Sequence, residues 1–231
     1  MSRLSFDRNT MEFGRGISFF DAIYGFAITL LVTNIDLPPA KSWVSISTLL
    51  DSHLQSQLLG FLLSFVVIAV FWRVNFRLMG SVTLMSPRLI SWNIVAAFFV
   101  ILIPFTTQGT SDPSTADLPL PTALYALNIA LASLSQTAIY QSARKQGLTE
   151  AGTDEGQSGL RQLLLHMPVP LVFLASIPVT LFAGPVPGRL LWATLFIISP
   201  ITDKLIKRAP APPRPSPPSR HVPGSDTEES P

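Results

Sequence analysis

Long apolar stretches alternate along this chain with short polar segments punctuated by proline and glycine. A helix needs about 20 largely apolar residues to cross a bilayer. Six stretches approach or exceed that length: residues 17–37, 55–78, 89–107, 122–143, 163–183 and 190–206. Pro38-Pro39 closes the first, Gly80 and Pro87 bracket the turn after the second, and the polar run 111–121 separates the third from the fourth. Residues 147–159 and 184–188 mark the remaining loops by their glycines. The stretches are too long for strands of a soluble sheet and lack the alternation of a membrane barrel. The pattern therefore predicts an all-α membrane protein with six transmembrane helices over residues 1–208. It also predicts a separate tail, 209–231, in which eight of 23 residues are proline and little is left to bury, so that it stays disordered.

Composition sharpens this picture. Only 13% of the 231 residues are charged, about half the usual share of a soluble domain. The first stretch is not a signal peptide, since it lacks an Ala-x-Ala site and contains Asp21. Cationic loops stay in the cytoplasm. With the N-terminus inside, 14 of the 16 lysines and arginines fall on the inner side, leaving only Lys41 and Arg189 outside. Both termini are thus expected in the cytoplasm. The excess positive charge becomes an orientation signal at the lipid surface, and no nucleic-acid partner is needed to explain it.

What is missing excludes several classes. Without cysteine there is no disulfide framework and no thiolate metal site, and His53, His166 and His221 lie too far apart to form a metal motif. Neither a Walker loop nor a TVGYG-like segment occurs, so ATP-driven pumping by this chain and a carbonyl-ring filter are both excluded. No cofactor is expected, and no enzymatic activity.

Ionisable and polar side chains inside the spans are the candidates for function. Asp21 is one reading's titrating or bracing group; the other reading is a carboxylate near a helix start, favoured by the helix dipole by about 0.3–1 kcal/mol. Arg15 precedes it by six residues, about 240° around a helix, so the two are not helical neighbours. Phe26, Thr29, Leu30 and Thr33 follow at i, i+3, i+4 and i+7, forming one face. Such a stripe suits a narrow pore, in which bulky groups constrict and hydroxyls replace ion hydration, and it equally suits ordinary helix packing. In the second stretch Trp72 reads as an interfacial anchor, while Asn75 calls for a buried partner such as Asp21. Asn93, Asn128, Ser133 and Gln136 read as polar glue between helices.

One resemblance is carried by specific residues. Arg15-Gly16-Ile17-Ser18-Phe19-Phe20-Asp21-Ala22, the run 27–32 (Ala-Ile-Thr-Leu-Leu-Val) and Ile35-Asp36-Leu37-Pro38 are similar to the transmembrane protein 175 family of potassium channels. Its signature is R-x-x-x-F-S-D at the start of the first helix. Ser64-Phe65-Val66-Val67-Ile68 with Phe71-Trp72, and Asn93 with Leu102-Ile103-Pro104-Phe105, resemble its second and third helices. The resemblance implies a six-helix subunit, a homotetramer in a prokaryotic plasma membrane, and a potassium-conducting pore lined by the first helix.

By position, the resemblance puts an apolar constriction at Phe26 and Leu30, with Thr29 and Thr33 on the same face. Arg15, Phe19, Phe20, Asp21, Trp72 and Asn75 would brace the bundle. Phe20 stands where the family has serine, Asn75-Phe76 where two histidines are common, and Phe26 where isoleucine or leucine is usual. The expected partners are further copies of the chain, membrane lipid and K⁺, with the PxxP spacings of the tail (Pro212, Pro215, Pro218) as a weak docking element. Two other functions fit the residues: a proton-coupled secondary transporter titrating Asp21, and a membrane scaffold acting through the tail.

Overall fold

The computed structural model of the chain describes residues 5–50, 52–149 and 167–195. The first helix, α1 (Met11–Leu30), begins before the apolar stretch does. Thr10 caps it by accepting the Phe13 amide proton on its hydroxyl, so residues 11–16, with Glu12 and Arg15 among them, join the helix. A 3₁₀ turn, Leu31–Asn34, tightens its end, and Pro38-Pro39 keeps the helix from reaching residue 37. After a short helix, α2 (Ile46–Leu50), come α3 (Leu54–Ser81), α4 (Pro87–Ser111) and α5 (Pro119–Lys145). Both α4 and α5 start on proline, whose missing donor costs nothing in a first turn. Then follow α6 (Pro168–Ala183) and α7, helical over residues 185–195.

Four of these are long and apolar enough to cross a membrane: Met11–Asn34, Leu54–Ser81, Pro87–Ser111 and Pro119–Lys145. The 16-residue α6 is apolar but shorter. The expected start of the fifth stretch (163–166), most of the sixth (196–206) and the whole tail 209–231 lie outside the described residues. The loop expected over 184–188 shrinks to Gly184 alone, whose φ of 96° turns the chain from α6 directly into α7. Gly188 then packs against α6, where any Cβ would strike the Thr180 hydroxyl.

The expectation of a purely helical chain needs one correction. A two-residue antiparallel ladder pairs β1 (Phe6–Asp7) with β2 (Leu84–Met85), in register Phe6↔Met85 and Asp7↔Leu84. Val82 bridges to Thr149 beside it, and the Thr83 amide donates to the Leu148 carbonyl at 2.8 Å. The turn after α3 is thereby gripped from both sides. These groups could not be read as strands because two residues carry no periodicity.

At the centre stands α5, with α4 and α6 against it and α1 and α3 packed on α4. Ala126, Ala130 and Ala132 are fully buried along its length. One core cluster, between Tyr24, Leu31, Ile68, Val100, Ile103 and Ile129, fills the middle of the bundle. A second, around Phe13, Leu78, Met85, Leu89 and Ile139, fills the end where α1 begins. Tyr125, Phe173 and Trp192 stack together and seal α5, α6 and α7, their ring centroids 5.1–6.4 Å apart.

Candidate functional site: the outward stripe of the first helix

The residues of α1 divide cleanly between two faces. Phe13, Phe20, Tyr24, Ala27 and Leu31 are buried in the chain's own bundle. Ser18, Phe19, Ala22, Phe26, Thr29, Leu30 and Thr33 point away from it. Phe26 is 70% exposed and Leu30 45%, so the four stripe residues expected from spacing share a face that the subunit itself leaves uncovered.

The two threonines have a specific chemistry there. Thr29 Oγ1 donates to the Phe26 carbonyl at 2.9 Å, and Thr33 Oγ1 donates to the Leu30 carbonyl at 2.7 Å. Each hydroxyl proton is thus engaged by its own helix, as such residues commonly do in apolar surroundings. What remains facing outward is oxygen lone pairs, which accept but do not donate. A surface of apolar rings and branched chains studded with such acceptors is suited to a cation and repels an anion.

The other expected residues are spread over the end where α1 begins. Arg15 and Phe19 border a shallow apolar groove with Phe6, Glu12, Met85 and Ile94. Phe20 is buried, its ring edge-on to Phe19 at 5.6 Å. Asp21 does not meet Asn75. Its Oδ1 accepts from the Trp72 indole N–H at 3.0 Å, so Trp72 braces α3 to α1. Asn75 instead donates to Asn93 Oδ1 at 2.9 Å and to the Tyr24 hydroxyl at 3.4 Å.

Tyr24 was not evident as a polar centre in the sequence. Its hydroxyl, on a side chain only 2% exposed, lies 2.6 Å from Gln136 Nε2 on α5 and within reach of Asn75 on α3, which is bonded to Asn93 on α4. Four helices therefore meet at one polar hub. A second chain of hydroxyls leaves α1 out: Tyr125 and Ser64 lie 3.2 Å apart, and Thr107 donates to Ser64 at 2.7 Å. Beyond the 3₁₀ turn, the Asn34 amide donates to the Pro104 carbonyl at 2.6 Å, and Asp36 and Gln57 exchange two hydrogen bonds. Among the described residues no group of three or more acids, histidines or cysteines could hold a metal.

The sequence profile of the family described as "Endosomal/lysosomal potassium channel TMEM175" matches residues 15–104, from the signature in α1 to the proline of α4. That match takes in 90 of the 231 residues, and over this stretch the chain is similar to the TMEM175 family. The chain is also similar to two bacterial proteins described as potassium channels. One, from Chryseobacterium sp., is 23% identical over 127 residues, covering 55% of this chain and 62% of that protein. The other, from Chamaesiphon minutus, is 34% identical over 99 residues, covering 42% and 48%. The chain thus spans 62% and 48% of the two curated relatives, less than two thirds of either. The crystal structure of "a lysosomal potassium-selective channel TMEM175 homolog" from Chamaesiphon minutus shares the fold, with a TM-score of 0.62 over 85% of this chain and 99% of that one, at 21% identity. Tyr24, Asn75 and Asn93 fall inside the segment matched by the TMEM175 profile, whereas Gln136 lies beyond it.

Proposed function

We propose that the chain is one subunit of a homotetrameric, potassium-preferring channel in a prokaryotic plasma membrane, with α1 lining the pore. The observation that carries this reading is the outward stripe of α1. A membrane helix gains nothing from burying apolar surface against protein rather than lipid, but outward acceptor oxygens are satisfied only by water, ions or a partner. Four copies facing one axis would enclose such a stripe. In this reading the subunit has six helices with both termini cytoplasmic, in keeping with the lysine and arginine distribution. The description of two similar bacterial proteins as potassium channels supports the choice of ion.

The constriction falls at Phe26 and Leu30, where apolar side chains admit an ion only after it sheds much of its water. Thr29 and Thr33 offer lone pairs in partial replacement. Sodium holds its water more strongly than potassium, so the same neck favours potassium. Passive flux needs no cofactor, and no reaction is catalysed. A carrier that titrates Asp21 has no observation in its favour, since that carboxylate is engaged by the Trp72 indole.

The test is potassium flux from proteoliposomes, with sodium and an impermeant cation as controls. Non-saturating, potassium-selective flux is expected. A well-folded oligomer that passes neither ion would overturn the reading.

A further inference from the structure

We infer that Tyr24 is a positioning residue for conduction: its buried hydroxyl keys the rotation of α1, so that Phe26 and Thr33 face away from the bundle. This rests on the channel reading above for its consequence, but the geometry stands independently. At about 100° per residue, Tyr24 lies about 200° from Phe26 and about 140° from Thr29 around the helix. Locking Tyr24 inward is therefore the same act as turning the stripe outward. The hub also sits at the depth of the stripe, since Leu30 is only about 9 Å further along the axis.

A polar key is needed because α1 is apolar almost all round. Its exposed face carries Phe19, Phe26, Leu30 and Val32, and its buried face Phe13, Phe20, Ala27 and Leu31. In lipid, exchanging one apolar face for the other changes little, whereas an unpaired polar group is costly. Rotating α1 out of register would strand the Tyr24 hydroxyl and the Gln136 amide at once, and would leave Asn75 with Asn93 alone. Two further side-chain links tie this segment to the bundle: Asp21 to Trp72, less than one turn before Tyr24, and Asn34 to the Pro104 carbonyl, in the 3₁₀ turn beyond the helix.

The absence of cysteine from all 231 residues allows a direct test in this chain, reconstituted in liposomes. Phe26→Cys and Ala27→Cys report the two faces through labelling by a water-soluble thiol reagent. With Tyr24 intact, labelling at 26 should exceed that at 27 severalfold. Adding Tyr24→Phe, which removes one oxygen and keeps the ring, should collapse that contrast. In the cysteine-free background, Tyr24→Phe should also lower the potassium-to-sodium permeability ratio severalfold. Tyr125→Phe removes an equally buried hydroxyl from the network that excludes α1, and should change neither readout.

Unchanged labelling contrast in Tyr24→Phe would overturn the proposal, as would an equal loss in Tyr125→Phe. If Tyr24→Phe fails to assemble, Gln136→Met, which cuts the α5 arm alone, is judged by the same two criteria. A parent chain that conducts no ion removes the channel reading, and the labelling contrast still decides the key.

Discussion

The first and fourth long helices, α1 and α5, invert the usual link between apolarity and burial. Of the four long helices α5 is the least apolar, yet 72% of its most apolar stretch is buried inside the chain, against 22% for α1. In water the more apolar helix would take the centre. In lipid, apolar surface is no reason to be inside, and close packing of small side chains and hydrogen bonding decide instead. Ala123, Ala126, Ala130 and Ala132 let α4 and α6 approach α5, while Gln136 and Asn128 find partners on its neighbours. The larger side chains of α1 leave about half of it uncovered by the rest of the chain.

The contrast can be broken most severely at α5. Ala130→Phe inserts a ring where the side chain is fully buried, and should cost about 3 kcal/mol or more, with loss of the folded species in detergent. Gly25→Leu adds a comparable bulk on α1, where a Cβ meets open space. It should leave the subunit's melting temperature nearly unchanged while altering flux. If both substitutions destabilise equally, the distinction between the two helices is wrong.

The next effect is on conduction. Leu30→Ala removes a 45% exposed side chain and should barely alter stability, but it should widen the neck and raise sodium leak severalfold. An unchanged permeability ratio in liposomes would count against the constriction. At Asp21 a smaller effect is expected. Asp21→Leu leaves the Trp72 indole without its acceptor and should cost about 1 kcal/mol, seen as reduced oligomer yield on size exclusion. Asp21→Asn retains an acceptor oxygen and should sit close to the parent.

The smallest effect lies outside the spans. Asp112 ends α4, and its carboxylate accepts from the Ser114 hydroxyl and amide, which hold its pKa below the usual carboxylate value. A lowered folded-state pKa means that the contribution is present above the unfolded value, about 3.9, and is lost as pH falls through the folded one. Ser114→Ala should therefore narrow the gap in acid stability between pH 5 and pH 3, measured as a melting-temperature shift.

The sequence by itself determined the membrane class, the succession of the long helices and the stripe Phe26–Thr29–Leu30–Thr33. Each follows from local chemistry: apolar length, proline and glycine punctuation, and the 3.6-residue period. Helix bounds were less legible, since Thr10 starts α1 ahead of the apolar stretch and the helix stops at Leu30, short of residue 37. Only the tertiary structure decided which way the stripe faces, because a helix that is apolar all round carries no marker of its inside. It also decided that Asn75 bonds Asn93 while Asp21 takes the Trp72 indole, and that Tyr24 meets Gln136 from 112 positions away. A hydrogen bond is a property of two groups at one point in space, and sequence order does not bring those groups together until the helices have packed.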